Sequence, residues 1–356
     1  MSKALIAMSG GVDSSVAALL MKDKGYDCIG CTMKLYANET INVCDSHTCC
    51  SLDDVEDAKA VARKLEMPHH TFNFQDKFKE NVIDKFVACY EKGRTPNPCI
   101  ECNKTMKFNE LYQRAQILGC DKVVTGHYAR IRQVENGYQL LKGLDSGKDQ
   151  SYVLYSMTQN ELAHTDFPLG ELTKDQVRKV AEENDFINAN KPDSQDICFV
   201  PDGDYVSALK RFSGRNYEPG DFVDMEGNVL GRHKGIVGYT IGQRKGLGIS
   251  AAHPLYVVKL DVENNRVVLG TNDDLFSRDV DVEDINWIGP DELPKEFRCK
   301  AKVRYRMTEQ PCTVKRVGKN GAHIVFDEPQ RAITPGQSAV FYDEDIVLGG
   351  GIITLL

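Results

Sequence analysis

The sequence predicts an N-terminal α/β domain with a parallel sheet, a small central domain and a C-terminal antiparallel β-barrel. Up to about residue 200, apolar runs of strand length alternate with patterns of helical period. Beyond that point glycine becomes frequent, and short alternating runs replace the long helical patterns. We expect the three domains to span residues 1–200, 201–275 and 276–356.

The elements of the first domain follow one another in a regular order. Strands are expected at residues 4–8, 26–35, 70–74 and 122–125, and helices at residues 15–24, 52–65, 78–92 and 106–118. Thr173 and Gln176 form a capping-box pattern that begins a further helix. Strands separated by helices predict a Rossmann-like sheet with helices on both faces and a ligand at the carboxyl ends of the strands.

The last part of the chain has a different texture. Short alternating runs separated by turn residues lie at residues 256–260, 266–269, 299–306, 312–317 and 322–326. Such runs are typical of the antiparallel strands of a small barrel.

Composition limits the class of protein. A hydrophobic share of 41% and a charged share of 27% over 356 residues are ordinary for a globular chain. No apolar run approaches the ~20 residues of a membrane span, and the chain enters a strand at once, so we expect a cytoplasmic protein with no membrane contact. The 12 cysteines are then expected to be reduced. A net charge of −8 argues against a wholly basic nucleic-acid coat but allows a local basic patch.

Residues 9–14, with the sequence Ser-Gly-Gly-Val-Asp-Ser, connect the first strand to the first helix. Two glycines let the backbone approach an anion, and the first helical turn directs N–H groups and a favourable dipole at it. No lysine follows the glycines, so this is not the Walker pattern. We interpret the segment as a phosphate-binding loop; the alternative is a glycine turn capped by Asp13 or Ser14.

Three cysteines lie in two distinctive motifs. Cys99 and Cys102 have C-x-x-C spacing, which alone does not separate redox, metal and structural roles. Cys102 is expected just before a helix that contains Lys104 and Lys107, where the helix N-terminus and the ammonium groups favour a thiolate. Cys198 lies in a second, acidic motif, in an apolar setting that favours a thiolate less.

The six-residue loop resembles the PP-loop of ATP pyrophosphatases, which split ATP into AMP and pyrophosphate while they activate a substrate oxygen. With the motifs at residues 97–103 and 193–199, the chain resembles bacterial tRNA-specific 2-thiouridylases from residue 4 to the end. Further matching segments are residues 126–129, 148–152, 238–244 and 304–306. Enzymes of this family install sulfur at C2 of the wobble uridine of certain tRNAs.

This resemblance implies ligands and partners. The ligands would be ATP with Mg²⁺, and the partners would be a tRNA whose anticodon arm carries the uridine and a persulfide donor such as a cysteine desulfurase or a sulfur relay protein. ATP would be held by Ala7, Met8, Ser9, Gly10, Gly11, Val12, Asp13, Ser14, Met33 and Gly126. The target base and the tRNA would be contacted by Asn97, Pro98, Cys99, His127, Lys148, Asp149, Gln150, Arg304, Tyr305 and Gln337.

The implied chemistry begins with adenylation of uracil O2, which turns a poor leaving group into a good one. Sulfur then attacks C2 and expels AMP, with Cys198 as the persulfide carrier, Cys102 as the second catalytic thiol and Asp13 assisting at the phosphates. Two routes stay open: Cys102 closes a disulfide that releases the thiolated base, or it releases hydrosulfide from the persulfide. Both routes need two thiols that can approach to bonding distance.

Several alternatives remain at this stage. Cys99 stands where the family often has an acidic residue, so Cys99, Cys102 and Cys198 could hold a [4Fe–4S] cluster with one open iron. The chain could instead be another PP-loop ligase, or an RNA-binding scaffold with a decayed nucleotide site. A further group has loosely zinc-like spacing and no assigned role: Cys44, His47, Cys49 and Cys50.

Residues 295–319 form the most basic segment of the chain, with nine Lys or Arg against two Glu. Alternation along strands would place several of these charges on one face. We therefore expect Lys300, Lys302, Arg304 and Arg306 to contact RNA phosphates.

Overall fold

The computed structural model of the chain describes residues 2–37, 52–193, 197–289 and 293–354. The group of Cys44, His47, Cys49 and Cys50 lies outside the described residues, and so do residues 194–196 of the second cysteine motif.

The described chain contains strands from its first residues to its last. In chain order they are β1 (Lys3–Ala7), β2 (Asp27–Lys34), β3 (His69–Asn73), β4 (Lys122–Val124), β5 (Ala129–Val134), β6 (Gly137–Lys142), β7 (Thr165–Asp166), β8 (Gly220–Val223), β9 (Val229–His233), β10 (Tyr256–Asp261), β11 (Arg266–Gly270), β12 (Phe276–Trp287), β13 (Glu296–Lys302), β14 (Gln310–Val317), β15 (Gly321–Arg331), β16 (Ser338–Asp343) and β17 (Ile346–Ile353).

The helices belong mostly to the first 213 residues. The α-helices are α1 (Val12–Asp23), α2 (Leu52–Lys64), α3 (Gln75–Phe78), α4 (Asp84–Glu91), α5 (Pro98–Glu101), α6 (Leu111–Ile117), α7 (Gln159–Ala163), α8 (Lys174–Glu183) and α9 (Tyr205–Ser213). Wider π-helical turns at Lys79–Ile83 and Cys102–Glu110 join α3 to α4 and α5 to α6, and short 3₁₀ turns lie at Ser151–Leu154, Ile236–Gly238 and Asp273–Leu275. No helix of the described ranges is long and apolar enough to cross a membrane.

The first domain is an α/β unit around a five-stranded parallel sheet of order β3-β2-β1-β4-β7. Successive residues of β1 point to opposite faces, as the period of a strand requires. Ala4 and Ile6 join an apolar cluster with α1, α2 and α8. Leu5 joins a second cluster, which contains Phe78, Phe86 and other residues of the helices on the opposite face. The predicted parallel sheet with helices on both faces is confirmed.

Beyond the α/β unit, the described chain forms two further sheets that share no strand. A four-stranded sheet of order β10-β11-β8-β9 forms the central part. The runs at residues 256–260 and 266–269 belong to this sheet and not to the barrel, because β11 pairs with β8 in parallel. The strands β12-β15-β14-β13-β16-β17 form an antiparallel barrel, which the pairing of β12 with β17 closes. The C-terminal antiparallel barrel is confirmed.

A hairpin from the first half of the chain ties the barrel to the α/β unit. The strands β5 and β6 extend the barrel sheet through the pairing of Leu141 with Ile346. An apolar cluster made of Ile100, Leu140, Tyr152, Tyr342 and other buried residues runs from the α/β unit into the barrel. Burial of this shared cluster holds the barrel beside the carboxyl end of β1, which is where the candidate site lies.

Candidate active site

A cavity of about 1140 Å³ lies at the carboxyl end of β1, between the α/β unit and the barrel. One wall consists of the loop after β1 and the segment Thr125 to Tyr128 after β4. The opposite wall includes Lys302 and the barrel residues from Tyr305 to Glu309. The cavity therefore occupies the place where open parallel sheets bind ligands.

The backbone of the glycine-rich loop has a shape that requires glycine. Gly10 has a φ of +78°, and a Cβ added there would lie 2.3 Å from the carbonyl oxygen of Asp54. The Ser14 hydroxyl accepts from the Ser9 N–H at 3.2 Å and donates to the Gly11 carbonyl at 3.0 Å, which closes the loop on itself. Gly11 is the N-cap of α1 and has no side chain, and Asp13 lies inside the helix. The capped-turn alternative is therefore wrong, and the first N–H groups of α1 suit an anion.

Asn188 holds this loop from a distant part of the chain. Its buried amide donates to the Gly10 carbonyl and to the Ser15 hydroxyl, both at 2.9 Å. The sequence offered no signal for this contact, because Asn188 lies between α8 and the motif at residues 193–199 and belongs to neither pattern.

Asp13 is the centre of a polar network on the cavity wall. Its Oδ1 accepts from the Tyr128 hydroxyl at 2.8 Å and from the Lys174 ammonium at 2.7 Å. The Lys174 ammonium also lies 2.6 Å from Asp193, and its side chain is only 8% exposed. The Asp193 carboxylate also accepts a hydrogen bond from the ammonium of a second lysine, Lys148, at 2.7 Å. Lys174 thus links the loop to the start of the second cysteine motif.

The charges in this network are set by its hydrogen bonds. Burial would raise the pKa of Asp193, but hydrogen bonds from Lys148 and Lys174 outweigh burial and lower that pKa. Burial and the neighbouring Asp13 carboxylate raise the pKa of Tyr128 far above its usual value. Asp193 is therefore ionised and Tyr128 is a neutral donor at physiological pH.

His127 lies in the cavity wall beside the loop. A Cβ on the preceding Gly126 would lie 2.9 Å from the backbone of Asp13, so glycine permits this close approach. The His127 Nε2 is 3.2 Å from the Lys107 ammonium, and its Nδ1 is 2.6 Å from the Thr125 hydroxyl. Burial, with Lys107 nearby, lowers the pKa of His127 well below its ordinary value. The ring is neutral, so Nε2 accepts from Lys107 and Nδ1–H donates to Thr125.

The helix that carries the first cysteine motif begins earlier than predicted. The Asn97 side chain accepts from the N–H of Cys99 at 3.1 Å, and Pro98 occupies the first helical position. Because α5 continues into the π-helical turns, Cys102 lies one turn inside the helix. The effect of the helix dipole falls off within the first turn, so the expected position of Cys102 at a helix N-terminus is wrong.

Accessibility differs among the three cysteines of the two motifs. Cys102 and Cys198 are both half-buried and both pack against the apolar cluster that contains Phe199, whereas Cys99 is exposed. The Tyr36 hydroxyl donates to the Cys198 carbonyl at 2.9 Å. All three cysteines lie outside the cavity wall itself.

Metal binding by the cysteines is a separate question. Within the described ranges, no three His, Cys, Asp or Glu side chains lie close enough together to hold a metal ion. A [4Fe–4S] cluster holds its thiolates farther apart than a single ion does, so the cluster on Cys99, Cys102 and Cys198 stays an untested alternative.

Of the residues that the sequence suggested for RNA, seven line the cavity: His127, Lys148, Asp149, Gln150, Lys302, Tyr305 and Arg306. Two others use their polar groups internally. The Arg304 guanidinium donates to the carbonyls of Arg331 and Ala332, and the Gln337 amide donates to the Thr95 carbonyl at 2.7 Å.

The basic segment of the barrel is divided by burial. Lys300 and Arg306 are exposed, whereas the Lys302 side chain is 13% exposed and lies 3.8 Å from both Asp149 and Glu309. Lys302 therefore faces the carboxylates of the cavity. Its contact with RNA phosphate stays a prediction, and the two carboxylates already balance its charge.

The fold and the site together define a class. A parallel sheet with a glycine-rich anion-binding loop after its first strand, joined to a β-barrel that completes the cavity, defines the class of nucleotide-binding α/β proteins with an added barrel. Family models match all three parts: the tRNA methyl transferase HUP domain at residues 2–202, the tRNA methyl transferase PRC-barrel domain at residues 208–271 and the aminomethyltransferase beta-barrel domain at residues 277–353.

Sequence matches to known proteins cover 99% of this chain. The tRNA-specific 2-thiouridylase MnmA of Clostridioides difficile (strain 630) is 52% identical over 353 residues, covering 99% of this chain and 98% of its own length. The tRNA-specific 2-thiouridylase MnmA 2 of Caldanaerobacter subterraneus subsp. tengcongensis is 50% identical over 357 residues, with coverages of 99% and 98%. This chain belongs to the family of tRNA-specific 2-thiouridylases. The family membership inferred from the motifs is confirmed.

Proposed function

We propose that this chain is a tRNA-uridine 2-sulfurtransferase that uses ATP to convert the wobble uridine of tRNA to 2-thiouridine. The observation that carries the proposal is the cavity, which joins the glycine-rich loop to barrel residues on its far side. Such a cavity can hold a nucleoside triphosphate and an extruded base together. The names of the relatives agree with this activity.

The glycine-rich loop binds ATP in this proposal. Residues 7–14 cradle the phosphates, and Met33 and Gly126 lie near the adenosine. All of these except Gly10 line the cavity, and Gly10 shapes the loop through its backbone. Asp13 offers the carboxylate oxygens that Mg²⁺ prefers, so Asp13 would hold the ion and the ion would neutralise phosphate charge.

The sulfur transfer uses the two half-buried thiols. Cys198 carries a persulfide that a donor protein, a cysteine desulfurase or a sulfur relay protein, supplies. Cys102 then either closes a disulfide with Cys198 or releases hydrosulfide. The half-burial of both thiols supports this role, since each stays accessible to a reaction partner, and no step is assigned to an iron–sulfur cluster.

The domains divide the work on the tRNA. We assign residues 1–200 to ATP binding and catalysis, residues 201–275 to a linking and tRNA-contacting domain, and residues 276–356 to the barrel. The target base would lie against residues 97–99, while His127, residues 148–150, Arg304, Tyr305 and Gln337 would face the RNA.

The reaction itself can be tested with unmodified tRNA, ATP and a persulfide donor. We expect equal amounts of 2-thiouridine, AMP and pyrophosphate, with 2-thiouridine identified by mass spectrometry of the digested tRNA. AMP release without thiolated base would point to a different PP-loop ligase and would overturn the proposal.

Asn188→Ala is expected to weaken nucleotide binding and to destabilise the fold by about 1–3 kcal/mol, because it leaves the Gly10 carbonyl without its buried donor. Titration with an ATP analogue and thermal unfolding measure the two effects. Asn184→Ala is the matched control, since the Asn184 amide donates to the Val180 carbonyl at the end of α8 and not to the loop. Equal analogue affinity in both variants would contradict this role of Asn188.

Lys300→Ala combined with Arg306→Ala is expected to weaken tRNA binding and to reduce the slope of log affinity against log salt by roughly one for each lost phosphate contact. These two basic residues are the exposed ones among the four predicted contacts. Filter binding at several salt concentrations measures the slope. The control is Lys319→Ala, at the far end of the same basic segment; an unchanged slope in the double variant would place the RNA surface elsewhere.

A further inference from the structure

Lys107 differs from the other lysines of the cavity wall. Each of the others lies within 4.0 Å of a carboxylate: Lys142 of Glu309, Lys148 of Asp193, Lys191 of Asp54 and Asp57, and Lys302 of Asp149 and Glu309. In the parts of the chain that the structure describes, no carboxylate lies within that distance of the Lys107 ammonium. The charge of Lys107 is thus not balanced by an ion pair there.

The hydrogen-bond partner of Lys107 is a neutral group. The ammonium lies 3.2 Å from Nε2 of His127, whose ring is buried and uncharged. The ammonium can only donate, so Nε2 presents its lone pair to it, and the other ring nitrogen, as Nδ1–H, donates to the Thr125 hydroxyl. His127 therefore orients the ammonium without neutralising it.

Lys107 also lies between the nucleotide loop and the helical segment that carries the second catalytic thiol. Through His127 it neighbours Gly126, which packs against the backbone of Asp13 and Ser14 in the nucleotide loop. It belongs to the same π-helical segment, Cys102–Glu110, as the second catalytic thiol. A fixed, unpaired cation at this place suits a group that brings negative charge into the cavity.

We propose that Lys107 is a catalytic residue that contacts the α-phosphate of ATP during adenylation of the uridine, with His127 as its positioning residue. This inference rests on the proposed function. In the step, uracil O2 attacks the α-phosphorus, and an O2–phosphorus bond forms as the bond to the β-phosphate oxygen breaks. Pyrophosphate leaves with the electron pair, and the N3 proton of the base passes to water. The ammonium stabilises the non-bridging oxygens of the α-phosphate in the transition state.

The test compares Lys107→Gln with Lys104→Gln, which removes an exposed lysine from the same helical segment. Single-turnover pyrophosphate release with unmodified tRNA is expected to fall about 100-fold to 1000-fold in Lys107→Gln and to stay at the wild-type rate in Lys104→Gln. Affinity for α,β-methylene-ATP is expected to change by less than about tenfold, because the contact strengthens in the transition state. Lys107→Arg, which keeps the charge, is expected to release pyrophosphate at least about ten times faster than Lys107→Gln.

Three results would overturn the inference: wild-type pyrophosphate release by Lys107→Gln, an equal loss in Lys104→Gln, or equal rates in Lys107→Gln and Lys107→Arg. A separate result bears on the proposed function. If the wild-type chain binds the analogue and makes AMP but no 2-thiouridine, the proposed reaction fails whatever the Lys107 variants do.

Discussion

Asp13→Ala is expected to abolish AMP formation while the fold and the affinity for tRNA stay close to wild type. The Asp13 carboxylate accepts hydrogen bonds from Tyr128 and Lys174 and lies on the cavity wall beside the phosphate loop. Its removal takes away the proposed Mg²⁺ ligand and frees the Lys174 ammonium to pair with Asp193 alone. We expect AMP formation to fall by about two to three orders of magnitude, the range seen when one preorganised electrostatic group is lost.

Two assays on the same preparation separate catalysis from binding. AMP formation reports the nucleotide site, and tRNA filter binding reports the RNA surface. Asp23→Ala is the matched control, because Asp23 is an exposed acid at the other end of α1. Near-normal AMP formation by Asp13→Ala would remove the phosphate-site assignment.

Cys198→Ser is expected to lower 2-thiouridine formation at least about 1000-fold while single-turnover pyrophosphate release continues. A serine hydroxyl cannot carry a persulfide, whereas adenylation needs only the loop and the cavity, and Cys198 lies outside the cavity wall. Mass spectrometry of the tRNA and pyrophosphate release measure the two steps separately.

Cys89→Ser serves as the control for this experiment. Cys89 is another half-buried cysteine of the α/β unit, and burial raises the pKa of its thiol, so it is not a ready nucleophile. Normal 2-thiouridine formation by Cys198→Ser would place the persulfide on another thiol. An equal loss of pyrophosphate release would show that Cys198 acts in adenylation and not in sulfur transfer.

Short-range patterns predicted the parts of the fold that depend on near neighbours. The apolar run of β1, the glycines after it and the helical period of α1 are all local, and the structure contains each of them. The wrong prediction that Cys102 precedes a helix also concerned a local pattern. Asn97 is an N-cap and Pro98 is the first helical residue, and the sequence analysis did not interpret these two residues as a helix N-terminus. The helix boundary places Cys102 one turn inside the helix.

Contacts between distant segments could not be predicted in this way. Lys174 reaches Asp13 across 161 positions, and Asn188 reaches Gly10 across 178. The capping box at Thr173 indicated where α8 begins, but it gave no sign that the next residue would turn its ammonium into the nucleotide site. Likewise, nothing in the local pattern placed the β5–β6 hairpin on the barrel sheet.

The sequence by itself determined the glycine-rich loop and the positions of the cysteines in the two motifs, because glycine conformation, helix period and residue chemistry act over a few positions. The class of the protein followed from the family resemblance that these motifs carry. Only the tertiary structure decided which charges are available. In the sequence, Lys302 and Arg304 are equivalent to Lys300 and Arg306. In the structure, the Lys302 ammonium lies near Asp149 of the α/β unit, and the Arg304 guanidinium donates to the Arg331 carbonyl. Lys107 became distinctive only because the fold pairs it with a neutral histidine instead of a carboxylate. Electrostatic interactions depend on distance in space and on burial, and the folded chain sets both.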